Sequence, residues 1–186
     1  MAVELDRRAQ IIEAVRSSMG QFGVRRVTVG DVAREAGVSR QTLYAWFPNR
    51  DALIEAALEA GARDLVERGR AAGERAGGAP VDRLAEMIRY ALRFLRQSPL
   101  WASPAKRAEL VPHVTIEGGV FIAANVDALT EVVLGWWPDA DGATARRVAD
   151  TASRVLVSHG LAPEPRPDAE VARELAGVLA AALDAA

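Results

Sequence analysis

The chain has 186 residues, half of them hydrophobic, no cysteine and a formal net charge of -2. That is enough apolar material to bury a core unaided, and the missing cysteine excludes disulfide scaffolds, thiolate nucleophiles and cysteine-based zinc sites. The charge is uneven: residues 1–50 hold eight Arg against five Asp/Glu, and the rest holds fifteen basic against twenty acidic groups, a pattern that lets a basic start face a polyanion.

The opening MAVELDRRAQ is charged rather than apolar, which argues against a secretion signal and for a cytoplasmic protein. Alanine, leucine, arginine and glutamate dominate, and no strand-like alternation is sustained, so the fold class is all-α. A first helix over 7–22 puts Ile11, Ile12, Val15, Met19 and Phe22 on one face and stops at Gly23. Two short helices follow over 29–36 and 40–47. A longer one opens near Arg50, with Asn49 as its cap and Asp51 in its first turn. It runs towards Gly73, and AGGAP (76–80) marks a boundary.

The next helix, over 81–97, is apolar almost all round, which means burial on more than one face. Pro99, Pro104 and Pro112 then bracket a short irregular or helical piece. Residues 116–137 form an apolar helix whose start the Gly118-Gly119 pair bends or delays. Part of it approaches membrane length, but Asp127 and Glu131 interrupt it, so a buried helix is expected. Two last helices, over 144–159 and 168–185, flank the PEPRP loop (163–167). Neither His113 nor His159 has a second histidine or a cysteine at i+4 spacing in the sequence, and no metal or cofactor is expected.

The densest signal is VTVGDVAREAGVSRQTLYAWF (27–47). Thr28 is an N-cap with Asp31 as the capping-box carboxylate, and Val27 with Val32 makes a hydrophobic staple. Ser39 caps the second helix, with Val38 and Leu43 in the same staple positions. Gly37 supplies a left-handed turn between them. With Val32, Leu43 and Phe47 inward, the second helix shows Arg40, Gln41, Thr42, Tyr44, Ala45 and Trp46 outward. This is the make-up of a recognition helix. Arg40 is suited to guanine, Gln41 to adenine and Ala45 to a thymine methyl. A plain packing hairpin is the alternative, but it has no need of an exposed Tyr44 and Trp46 beside Arg40 and Gln41.

From about Ile11 to Leu58 the chain resembles the tetracycline-repressor (TetR) family. The resemblance rests on a first helix ending in Phe22-Gly23 and on TVGDVAREAGVSRQTLYAWFPNRDAL (28–53). It implies a three-helix DNA-binding domain over 1–49 and a helical regulatory domain over 50–186, about nine helices in all. Arg40, Gln41 and Tyr44 would then face the groove. Thr28, Thr42, Tyr44 and Arg50 would contact phosphates, with Ser39 and Trp46 beside them. Members often carry histidine where this chain has Trp46, and lysine where it has Arg50.

The resemblance also implies a ligand cavity in the body and a homodimer through the last two helices. The apolar stripes Val148, Ala152, Val155, Leu156 and Val171, Leu175, Val178, Leu179, Leu183 fit a four-helix interface between two copies. The alternative is that both stripes pack within one subunit. Candidate cavity residues are Met87, Tyr90, Phe94, Trp101, Phe121, Ile122, Asn125 and Trp136, a mostly apolar set with Asn125 as a polar handle. The expected function is a DNA-binding regulator, a repressor released from double-stranded operator DNA by a small apolar effector. Corepressor-dependent repression or activation uses the same architecture. No phosphate loop, nucleophile elbow or paired metal motif points to an enzyme.

Overall fold

The structure is a computed structural model and describes residues 2–116 and 119–185. Among these, nine α-helices follow one another: α1 (Ala2–Phe22), α2 (Val29–Glu35), α3 (Arg40–Trp46), α4 (Arg50–Ala76), α5 (Pro80–Gln97), α6 (Pro104–Val111), α7 (Gly119–Trp136), α8 (Gly142–Leu161) and α9 (Asp168–Asp184). A 3-10 turn at Val24–Arg26 precedes α2, and a π-helical turn at Pro112–Ile116 follows α6. Gly118 lies outside the described residues, so the effect of the glycine pair on α7 does too.

The helix ends follow the chemistry of their caps. Gly23 (φ 88°) and Gly37 (φ 65°) take positive φ where the chain turns sharply, a region closed to most side chains. Asn49 accepts the Ala52 N–H at 2.8 Å. Asp141 accepts those of Ala143 (2.9 Å) and Thr144 (3.0 Å), which starts α8 two residues before the expected position. Its carboxyl is held below the usual range, first by the Thr144 side chain and then by that backbone N–H. Pro80 opens α5, where a missing N–H is harmless.

Two apolar cores divide the interior. The first begins in the head with Ile11, Val15, Val32, Leu43 and Phe47, takes in Leu53, Ile54 and Leu58 of α4, and continues to Trp101, Leu110, Phe121 and Val157. The second lies further down the body, where Leu84, Ile88, Val133, Val148, Val171 and Leu179 meet. The 27-residue α4 belongs to both, so its first half is part of the head it leaves.

α9 packs against α5, and Arg96 fixes the preceding loop by donating to Asp168 (2.6 Å) and to the Glu164 carbonyl (2.7 Å). The terminal stripes therefore divide. Val148, Ala152, Val171, Leu179 and Leu183 are buried inside one subunit. Val155, Leu156 and Leu175 are half-buried, and Val178 is 68% exposed. Five of the nine stripe residues are thus covered by the subunit's own core, because α9 packs on α5 and α8 on α7.

Candidate DNA-binding head and adjoining cavity

Local hydrogen bonds hold α2 and α3. The Thr28 hydroxyl oxygen accepts the Asp31 N–H at 3.1 Å, while its O–H donates to the Asp31 carboxylate at 2.6 Å. Asp31 thus turns to the Thr28 hydroxyl and to Arg34 (2.5 Å), a variation on the expected box. The Thr28 hydroxyl, then the Arg34 guanidinium, keeps its carboxyl below the usual range. Ser39 accepts the Thr42 N–H at 3.0 Å, and the two hydroxyls share a hydrogen bond of 2.8 Å. Val32 and Leu43 have no exposed surface, which fixes the rotation of both helices.

What α3 then shows outward is Arg40, Gln41, Tyr44 and Ala45, with Tyr44 53% exposed. Thr42 is half-buried and engaged with Ser39. Trp46 departs from expectation: it is half-buried and packed on the head core. Arg40 lies across the start of α2, so close that a Cβ on Gly30 would stand 2.6 Å from its Nη2. Gly30 thus borders Arg40, a contact of which the T-V-G-D spacing carried no sign.

Arg50 makes contacts that the sequence did not indicate. Its Nε donates to the Val27 carbonyl at 2.8 Å, and its Nη2 donates to that of Val24. The guanidinium thus clamps the turn that leads into α2 and positions the motif from behind.

From the opposite side the body grips the same turn. Lys106, the chain's only lysine, donates to the Gly20 carbonyl at 2.5 Å near the end of α1. The Glu109 carboxylate accepts the Arg25 N–H at 2.9 Å, and a Cβ on Gly23 would come within 2.6 Å of it. Both anchors lie on α6. Single charged residues in a proline-bracketed segment gave no signal of this in the sequence.

Beside this contact is a partly open cavity of about 510 Å³, between α1, α4, the end of α5 and the loop before α6. Of the eight expected lining residues it gathers Phe94, Trp101 and Phe121. The rings of Trp101 and Phe121 are 6.2 Å apart and tilted by 41°, within the range of favourable aromatic pairs.

The other five lie elsewhere. Met87 packs over Gly69, whose added Cβ would meet its Cγ at 3.0 Å. Trp136 packs over Gly73 in the second core. Tyr90 lies in a separate groove with Arg93, whose guanidinium sits 5.9 Å from its ring. Ile122 packs between the two cores. Asn125 is buried, and its amide donates to the Phe121 carbonyl one turn back at 2.9 Å; this local bond serves the handle the sequence left unassigned.

A helix-turn-helix head with an exposed second-helix face, carried on an all-helical body, places the chain in the helix-turn-helix class. Residues 11–57 match the model described as bacterial regulatory proteins, tetR family, and residues 82–181 match that of the bacterial tetracyclin repressor, C-terminal domain. The chain belongs to the TetR family.

Among solved structures it is similar to the TetR-family repressor AlkX from Dietzia sp., implicated in biodegradation of n-alkanes. The TM-score is 0.80 at 28% identity, over 96% of this chain and 95% of that one. The fold is also that of the repressor QsdR from R. erythropolis, with TM-score 0.67 at 20% identity over 95% and 94% of the two chains. The transcriptional regulator TtgR of Pseudomonas putida is 44% identical over 52 residues, 28% of this chain and 25% of that protein. The chain spans between 25% and 45% of the length of such curated relatives. No helix among the described residues is long and apolar enough to cross a membrane.

Proposed function

We propose that the protein is a dimeric, sequence-specific DNA-binding regulator: a repressor that leaves its operator when a small, largely apolar effector binds. The observation that carries the reading is the outer face of α3. Arg40, Gln41, Tyr44 and Ala45 stand exposed on a helix whose cap and buried residues are all engaged in holding it. In the major groove Arg40 reads guanine, Gln41 adenine and Ala45 a thymine methyl, while Thr28, Ser39, Thr42 and Tyr44 serve the phosphates. Arg50 acts through the turn it clamps, as a positioning residue.

A dimer sets two such helices about 34 to 36 Å apart, one DNA turn. The half-buried Val155, Leu156 and Leu175 with the exposed Val178 are the apolar surface left on α8 and α9 for that contact. An apolar effector accords with the aromatic cavity beside the head, and with a similar repressor implicated in n-alkane biodegradation. To weaken DNA binding a hundredfold, the effector must prefer the released form by about 2.7 kcal/mol.

The test is fluorescence anisotropy on DNA from upstream of the gene, with a scrambled duplex as competitor, at two salt concentrations. Competitor-resistant binding that weakens steeply with salt is expected. Tyr44→Ala should weaken it at least tenfold with melting temperature unchanged, and Arg40→Ala should relax preference at one base pair. A Tyr44→Ala protein that binds like the parent removes the docking model.

A further inference from the structure

The cavity beside the head has an unusual wall. Glu13, Ser17 and Gln21 recur every four residues along α1 and form a polar rim, with Gly20 and Met19 of the same helix behind them. A large part of the lining thus belongs to the DNA-binding head itself. Leu95, Trp101 and Phe121 of the body complete an apolar floor.

Two glycines line the space from opposite sides. Gly61 sits in the interior of α4, where glycine weakens a helix. Elsewhere in α4 glycine makes room for packing: a Cβ on Gly73 would meet the Arg83 carbonyl oxygen at 2.6 Å. A Cβ on Gly61 would meet only Arg16 Nε, at 3.9 Å, and one on Gly20 meets nothing within 4 Å. Close packing therefore does not require glycine at either position, and both line the cavity.

Charge narrows the occupant. The charged lining groups are Glu13 and Arg16, paired at 3.3 Å, and Arg16 also holds Asp64 at 3.1 Å. One guanidinium of the lining thus serves two carboxylates, so an anionic ligand at that wall would have to break the Arg16–Glu13 bond or the Arg16–Asp64 bond. A neutral molecule meets neither obstacle, and about 510 Å³ is of ligand-site size.

We propose that this junction between head and body is the effector site, and that it takes a neutral, predominantly apolar molecule. The proposal rests on the regulatory reading above and adds the place and the charge of the ligand. An occupant there touches the head directly. It lies against Gly20, whose carbonyl is held by Lys106, and against the loop through Trp101 that leads into α6. Filling the cavity therefore strains the Lys106 and Glu109 contacts that fix the turn before α2, which tilts the head without any relay through the second core.

The test is calorimetric titration of the full chain with 1-decanol, and with decanoate as the charged probe of equal length. Saturable 1-decanol binding is expected, with decanoate at least tenfold weaker. Gly61→Leu and Gly20→Met, which fill the cavity from opposite walls, should each weaken 1-decanol at least tenfold, while Gly61→Ala, which leaves most of the space, should bind like the parent. No saturable 1-decanol binding to the parent, undiminished binding in both folded filling variants, or equal binding of decanoate would overturn the assignment.

The same proteins on operator DNA separate the two readings. Release by 1-decanol in the parent but not in Gly61→Leu supports both. Calorimetric binding at the cavity with DNA affinity unaltered leaves the binding site standing and sinks ligand release.

Discussion

The head and the lower body are built from the same few residue types but determined at different ranges. In the head, the starts of α2, α3 and α4 are fixed by partners three residues away: Thr28 with Asp31, Ser39 with Thr42, Asn49 with Ala52. In the lower body, identity is decided by contacts between distant helices, such as Gly73 of α4 under the Arg83 carbonyl and Trp136. The head can therefore expose α3 without loosening it, whereas the body has few positions that do one thing only. Glycine shows the contrast within one helix: Gly73 is closed over by neighbours, and Gly61 faces unfilled space.

Three substitutions probe that contrast, in order of expected effect. Gly73→Ala puts a methyl group 2.6 Å from a backbone oxygen and 2.8 Å from Trp136. It should destabilise the protein by about 2–3 kcal/mol, read as a lower urea midpoint. If it is neutral, α4 and α5 are not as closely packed as the structure has them.

Arg50→Met keeps the stem but removes the donors to the Val24 and Val27 carbonyls. A loss of about 1.5 kcal/mol is expected, together with weaker operator binding and faster amide exchange at Val27–Val29. Weaker DNA binding with stability and exchange unchanged would return Arg50 to a direct phosphate contact. Gly61→Ala should act in the opposite direction, raising stability by about 0.5–1 kcal/mol through helix propensity alone. A destabilised Gly61→Ala would mean that the cavity wall is packed after all.

A pH experiment sharpens the same line at smaller amplitude. Burial raises the Asp64 carboxyl, but hydrogen bonds from Arg68 and Arg16 outweigh it, and the net shift is downward. A depressed folded-state pKa gives stability that is present above the unfolded value near 3.8 and lost as pH falls through the lower, folded one. The α1–α4 tie should therefore hold at neutral pH and weaken below about pH 4. An Asp64→Asn protein should lack that part of the acid response. The amplitude should stay below about 1 kcal/mol, as for other accessible ion pairs.

The helix order was legible because caps and apolar periodicity act within one turn. The first helix begins earlier than its apolar face indicated, at Ala2 rather than residue 7, since the charged opening carries no stripe to mark it. Within the site, the outward set of α3 was readable except Thr42, half-buried against Ser39, and Trp46, whose indole is large enough to fold back onto the head core. Arg50 was read as a phosphate ligand because a basic residue at a helix start serves either end of its reach. Its bonds to the carbonyls of Val24 and Val27 link residues more than twenty positions apart, which no local pattern marks. The cavity residues were the least legible: Phe94, Trp101 and Phe121 converge, while Met87 and Trp136 belong to packing over glycines.

By itself the sequence determined the all-α class, the helix-turn-helix with its caps, the left-handed turn at Gly37 and the exposed character of Arg40, Gln41 and Tyr44. All of these follow from backbone hydrogen bonding and periodicity over a few residues. Tertiary structure alone decided that most of the α8 and α9 stripes close within one subunit, that Lys106 and Glu109 grip the head, and that α1 walls a cavity. An apolar stripe states only that it must be covered. What covers it depends on contacts between residues dozens of positions apart, which no local pattern encodes.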